Sequence, residues 1–224
     1  MKIVCSRQQL VEAVSNVQRA VSTKSSVPAL EGILLRTSGG EITLCGYDLE
    51  LGMTTSIESS VEESGSVVLS ARLFADIVRR LPGESVSLTI DEKNITTIKS
   101  GASEFSIVGI PADEYPDMPA ISGDDSVTLP QHLLKGMIRQ TIFAVAESDA
   151  KPIHTGTLFE IGEGRIRLVS VDGYRLAMRE EAAGGDAELS FVVPGKTLSE
   201  VSKLLSDEEE DELELRVGRR HIQF

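Results

Sequence analysis

The apolar and polar positions of this chain change period in blocks, and the order of the blocks recurs. Val4-Cys5-Ser6 is a short apolar run closed by a serine, followed by Leu10, Ala13, Val14 and Val17, a spacing that puts one apolar stripe along a helix. Val68-Leu69-Ser70 leads in the same way into Phe74, Ile77, Val78 and Leu81, 64 residues further on. Between and after these helices lie short apolar runs separated by Gly-rich or polar turns: Ile33-Leu34-Leu35, Ile42-Thr43-Leu44-Cys45, Gly52 to Ile57, Val86 to Ile90, Ile95 to Ile98 and Phe105 to Val108. Runs of this length and composition predict strands.

Shifting the chain by 124 residues superimposes it on itself. Leu10 meets Leu134, Ala20 meets Ala144, Pro28 meets Pro152, Gly32 meets Gly156, Leu34 meets Leu158 and Asp48 meets Asp172. The register continues to Arg72 with Lys196 and Leu81 with Leu205, after which the acidic run Asp207 to Glu212 adds three residues and Ile95 pairs with Ile222. A repeat at one constant offset outweighs any single match. Ser6, Ser70, Pro130 and Pro194 mark four strand-to-helix junctions, spaced 64, 60 and 64 residues apart. Serine suits an N-cap and proline the first helical turn, and Ser6 with Gln9 fits a capping box. The helices are expected over about 7–19, 71–81, 130–141 and 195–205, by the usual helix start and stop signals. Pro111, Pro116 and Pro119 with Gly123-Asp124-Asp125 read as a linker. The expectation is an α+β fold of two tandem modules, 1–122 and 123–224, each with two helices packed on one side of antiparallel sheet. The second copy stops at the equivalent of position 97, so it reads as C-terminally incomplete, the front part of a longer protein.

Composition and charge narrow the function. The 224 residues are 41% apolar with a net charge of −13, which argues against an indiscriminate binder of nucleic acid or anionic membrane. No apolar stretch is long enough to span a bilayer and the N-terminus is not a signal peptide. Cys5 and Cys45 lie in strand runs and read as buried, reduced thiols of a cytoplasmic protein. The absence of Trp and 4% aromatic content weaken a base-stacking platform. The charge is segregated, however. The four helices hold Arg7, Arg19, Arg72, Arg79, Arg80, Lys135, Arg139, Lys196 and Lys203 against only Glu12, Asp76 and Glu200. Charged helix faces are ordinary one at a time; four leaning the same way form a basic surface suited to phosphate backbones without base reading.

Enzyme readings find little support. His132, His154 and His221 have no ligand partner at metal spacing, and no nucleophile elbow, phosphate loop or Cys–His signature is present. Asp48 and Asp172 are equivalent under the repeat, which makes them one structural turn built twice and not a catalytic pair. The run from Asp207 to Glu212 reads as a solvated loop and not a calcium site. No cofactor or metal is expected. An acidic protein-interaction scaffold without a nucleic-acid role is the alternative.

Pro28-Ala29-Leu30-Glu31-Gly32-Ile33-Leu34-Leu35, Gly46-Tyr47-Asp48-Leu49-Glu50, Ile110 to Pro116 and Val171-Asp172-Gly173-Tyr174-Arg175-Leu176-Ala177 together resemble the bacterial DNA polymerase III beta subunit, the sliding-clamp family. The resemblance spans the chain. It implies a three-module subunit whose homodimeric ring encircles duplex DNA, with the first module and most of the second present here and the third absent. An open fragment of such a ring is expected to hold DNA poorly. It implies partnership with the polymerase III catalytic subunit, the clamp loader and other proteins carrying clamp-binding motifs, and no catalysis. Lys24, Arg72 and the stretch from Glu147 to Ile153, with Ser148, match the family's DNA contacts. With the helix cations, the DNA-binding candidates are Lys24, Arg72, Arg79, Arg80, Lys135, Arg139, Ser148, Lys196 and Lys203. Val171, Gly173, Tyr174, Arg175 and Leu176, with His154, match the wall of a pocket for partner peptides.

Overall fold

The computed structural model describes residues 1–121, 125–148, 150–184 and 187–224. The chain divides into two compact units, Met1–Met118 and Pro119–Phe224.

In unit 1, β1 (Lys2–Ser6), α1 (Arg7–Val17), β2 (Gly32–Ser38), β3 (Glu41–Tyr47) and β4 (Gly52–Glu63) are followed by β5 (Ser66–Ser70), α2 (Ala71–Arg80), β6 (Ser85–Ile90), β7 (Ile95–Ser100) and β8 (Ser103–Val108). All pairings are antiparallel, in the order β5-β2-β3-β4-β1-β6-β7-β8. The twelve-residue β4 continues past the expected Ile57 because its alternation persists through Ser59 and Val61 to Glu63. Its first half pairs with β3 and its second half with β1, so one strand joins the two halves of the sheet. Period-two alternation sends Ile3, Ile33, Leu35, Ile42, Leu44, Val67, Leu69 and Leu88 to a single core, where they meet Leu10, Val14 and Val17 of α1 and Phe74 and Val78 of α2. Both helices therefore lie on one face of the sheet. Complete burial of a side chain such as Phe74 contributes about 1.5–3 kcal/mol.

Unit 2 repeats the order with β9 (Asp125–Pro130), α3 (Gln131–Thr141), β10 (Gly156–Gly162), β11 (Arg165–Val171), β12 (Leu176–Ala182), β13 (Leu189–Pro194), α4 (Gly195–Leu204), β14 (Glu212–Val217) and β15 (Ile222–Gln223). Among the described residues its strands form two sheets, β12-β11-β10-β13 and β15-β14-β9. Among the described residues β12 ends at Ala182, and no described strand joins the two sheets as β4 joins β3 to β1. Leu134, Met137 and Ile138 of α3 and Leu198 and Val201 of α4 share one core with Phe159, Ile166, Leu168 and Leu215. Phe159 stacks on Phe191 at 5.2 Å between ring centroids.

The four junctions fall at the expected residues, with three corrections of detail. Pro130 (φ −61°, ψ 133°) and Pro194 (φ −55°, ψ 137°) are extended N-cap residues just ahead of the first turn, not within it. Ser6 Oγ accepts from Gln9 N, whereas Ser70 makes no side-chain cap bond. In the β14–β15 ladder Ile222 faces Val217 as Thr96 faces Ile90, so Ile222 corresponds to Thr96, not Ile95, the hairpin being one residue shorter. The proline-rich stretch is also more than a linker. Ile110, Tyr115 and Met118 pack onto unit 1, and Tyr115 is buried. Gly123 and Asp124 lie outside the described residues.

Candidate nucleic-acid interface

The helices bury one stripe and turn the other outward. In α2, Ala71, Phe74, Ala75 and Val78 face the core, leaving Arg72, Asp76, Arg79 and Arg80 exposed. In α4, Gly195, Leu198 and Val201 are buried while Lys196 and Lys203 are exposed. Arg79, Arg80, Arg139 and Lys203 occupy last turns, where a cation also complements the helix dipole. Arg79 Nη2 donates to Gln18 Oε1 at 2.9 Å, spanning from α2 to the turn that ends α1. Lys203 Nζ donates to Glu200 Oε1, an exposed pair one helical turn apart. Lys24 is exposed in the loop after α1, where its carbonyl accepts from Ser22 Oγ.

Lys135 does not belong to this surface. It is buried, and its ammonium donates to Asp207 Oδ2 at 2.6 Å, with Arg139 Nη1 3.9 Å from the other carboxylate oxygen. The aliphatic stem occupies a core-facing helical position and only the head reaches an acceptor, the usual solution for a buried lysine. The acidic run Asp207 to Glu212 is exposed throughout, as expected of a solvated loop, and at its start the Lys135 hydrogen bond, chiefly, holds the Asp207 carboxyl below the ordinary range. Between α3 and α4 lies a cleft of 400 Å³ lined by Lys135, Ile138, Arg139, Ile142, Ser199, Ser202 and Lys203. Ser199 and Ser202 escaped the sequence reading because an uncharged hydroxyl on a helix carries no signal by itself.

Ser148 is exposed, and its Oγ accepts from Ala150 N at 3.3 Å. Asp149 lies outside the described residues. Ile153, in the short 3-10 turn Pro152–Thr155, is 69% exposed.

Val171, Gly173, Tyr174, Arg175 and Leu176 share the β11–β12 hairpin. Asp172 builds it: Oδ1 accepts from Tyr174 N (2.9 Å) and Arg175 N (3.0 Å), and Oδ2 accepts from Arg175 Nε (2.8 Å). Those backbone donors, chiefly, hold the Asp172 carboxyl below its usual range. Asp48 makes the same turn in unit 1, accepting from Glu50 N at 3.0 Å and Leu51 N at 2.7 Å. Gly173 (φ 96°) and Leu49 (φ 77°) hold the left-handed position that follows. The two aspartates are thus one turn built twice. Tyr174 is fully exposed and Leu176 is 65% exposed. The Arg175 guanidinium lies 5.7 Å from the ring centroid of Phe143, itself exposed. Phe143 was missed because it stands where the first copy has Arg19, so the repeat gives no apolar match. His154 belongs to a separate element, the turn before β10, where its carbonyl accepts from Ala146 N.

Among the described residues no group of three or more His, Cys, Asp or Glu side chains is placed to hold a metal ion, and no helix is long and apolar enough to cross a membrane.

Two family models match the chain: the DNA polymerase III beta subunit N-terminal domain over residues 1–119 and the central domain of the same subunit over residues 128–224. The beta sliding clamp of Halalkalibacterium halodurans is 38% identical over 236 residues, covering 100% of this chain and 62% of its own length. That of Bacillus subtilis is 36% identical, covering 94% of this chain and 58% of its own length. The crystal structure of a putative DNA polymerase III beta subunit from Eubacterium rectale superposes with a TM-score of 0.96 at 37% identity, over 99% of this chain and 61% of that one. The DNA polymerase sliding clamp from Bacillus subtilis gives 0.95 at 33% identity, over 98% of this chain and 60% of that one. The chain therefore spans about three fifths of the length of these relatives.

Proposed function

The chain belongs to the DNA polymerase III beta subunit family, and on that premise we propose that it serves in a DNA sliding clamp, a non-catalytic cytoplasmic subunit that tethers the replicative polymerase to duplex DNA. Residues 1–122 and 123–224 act as its first and second modules. The observation that carries this reading is the repeated helix pair. In each unit two helices share one core with the strands and turn cations outward, in a chain whose net charge is −13.

The physical logic is retention by topology. A ring needs only weak, sequence-independent contacts, because DNA leaves it by an end and not by dissociation. Arg72, Arg79, Arg80, Arg139, Lys196 and Lys203, with Lys24 and Ser148 on loops, neutralise or hydrogen-bond phosphates and read no bases. The acidic remainder repels DNA and confines contact to the helix faces. In the homodimer of the whole protein, the Val171–Leu176 hairpin and His154 form one wall of the site for short motifs of the polymerase catalytic subunit, the clamp loader and other clamp-binding proteins. Tyr174 and Leu176, exposed and apolar, supply the contact area.

The test loads the whole protein onto nicked circular DNA with its loader and then linearises the circle. Retention lost on linearisation is the expected result. Equal retention on circular and linear DNA would sink the clamp reading and favour a scaffold without a nucleic-acid role.

A further inference from the structure

The seam between the paired helices is filled and bridged in unit 1 and open in unit 2. In unit 1, Val14 of α1 and Ala75 and Val78 of α2 are buried in the core, at 2%, 1% and 0% exposure. Arg79 Nη2 then ties α2 to the turn that ends α1, donating to Gln18 Oε1 at 2.9 Å. The 124-residue offset carries these positions onto Ile138, Ser199, Ser202, Lys203 and Ile142. Ile142 offers no acceptor, so Lys203 turns back along its own helix to Glu200 and the bridge is not made. Serine is also smaller than valine, and the buried stripe of α4 runs through Val201, the equivalent of Ile77, and not through Ser202. The 400 Å³ cleft between α3 and α4 is what these exchanges leave.

Its lining holds donors and aliphatic carbon and no carboxylate. Lys135 and Arg139 stand one turn apart on α3, and Ser199, Ser202 and Lys203 share one face of α4. Lys135 is 8% exposed, a charged group built into the wall where unit 1 has Val11. Neither serine hydroxyl has a partner among the described residues. Two carboxylates stand outside the lining. Asp207 holds the Lys135 ammonium at 2.6 Å and lies 3.9 Å from Arg139, beyond hydrogen-bonding distance, while Glu200 holds Lys203. Three cations thus meet two carboxylates, and the Arg139 guanidinium is the least committed of the three.

We propose that this cleft is a seat for a single phosphate group, with the Arg139 guanidinium and the hydroxyls of Ser199 and Ser202 donating to its oxygens and the Lys203 ammonium leaving Glu200 to reach it. Convergent donors between aliphatic walls suit a compact oxyanion, and a guanidinium fork matches its oxygen pairs. The exposed Lys203–Glu200 pair is weak enough to yield. Asp207 is the resident competitor for Arg139. The seat belongs to unit 2, because unit 1 carries Ala75 and Val78 in place of the two hydroxyls. It rests on the cleft and not on the clamp reading. A free phosphate and a backbone phosphodiester share this chemistry, and the test separates them.

Inorganic phosphate, and separately a short DNA duplex, are titrated at low salt onto the isotope-labelled 224-residue chain, and backbone amide shifts are followed. Saturable shifts over 138–142 and 199–203 are expected with inorganic phosphate, without matching shifts over 14–18 and 75–79. Ser199→Ala combined with Ser202→Ala should weaken phosphate binding about tenfold, as loss of hydrogen bonds to a charged group does. Unchanged amide shifts elsewhere in that variant show that its fold is kept. Asp207→Asn, which leaves Lys135 an acceptor but removes the competing charge, should tighten binding. A duplex weakened by the same factor in the serine variant identifies a backbone phosphate as the occupant; a duplex bound as by the parent identifies a free phosphate. Absence of saturation, equal shifts at the unit 1 seam, or a serine variant that binds phosphate like the parent overturns the proposal. Retention on circular DNA is read on the whole protein and fails or succeeds independently of these shifts.

Discussion

A single side chain is decided by what lies opposite it. Cys5 and Cys45 are both free and buried, and burial pushes the Cys5 thiol up to about 11. Both thiols should therefore resist a disulfide reagent at pH 8 in the native protein and react fully once it is denatured, because the thiolate is the reactive form. Rapid native labelling of either cysteine would contradict the burial. Lys135 gives a second residue-level prediction. The Asp207 side chain is 72% exposed, so the carboxylate that Lys135→Met leaves behind is solvated and not a buried, unpaired charge, and the variant should melt close to the parent. It should also leave DNA retention by the whole protein unchanged, since the ammonium is committed to Asp207. A loss of retention equal to that of Arg72→Glu would return Lys135 to the interface.

At the scale of the element, the matched glycines Gly32 and Gly156 explain themselves. A Cβ at Gly32 would come within 2.4 Å of Val68 Cγ1 and 2.9 Å of the Leu69 carbonyl oxygen. At Gly156 the corresponding approaches are 2.5 Å to Val192 Cγ1 and 2.7 Å to the Val193 carbonyl oxygen. In each copy, then, the strand entering the sheet starts against the backbone of the edge strand, and only glycine fits. Gly32→Ala should destabilise unit 1 by about 1–3 kcal/mol, as overpacking does, read as a lower urea midpoint with an unchanged slope. An unchanged midpoint would mean that β2 and β5 separate without cost.

Over the whole molecule the charge distribution is the testable property. Reversing Lys24, Arg72, Arg79 and Lys203 together in the whole protein should weaken DNA retention and flatten its salt dependence, by about one unit of log–log slope per lost phosphate contact. The side-chain partners of Arg79 and Lys203, Gln18 and Glu200, are exposed contacts that yield to a phosphate at little cost. Parallel salt slopes for parent and variant would show that the helix faces do not meet DNA.

The repeat, the four strand-to-helix junctions, the turn at Asp48 and Asp172 and the strand runs were legible in the amino-acid order, because each is encoded within a few residues by period, cap and turn chemistry. The outward-facing helix cations were legible only as a bias. Which of them reach solvent depends on contacts far along the chain: Lys135 stands where the first copy has Val11, yet its acceptor, Asp207, lies 72 residues away behind an insertion. Tertiary structure alone decided that the proline-rich stretch would seal one face of the unit 1 sheet through Tyr115. Alternation states that a strand has two faces; what covers each face is settled by segments that only the folded chain brings together.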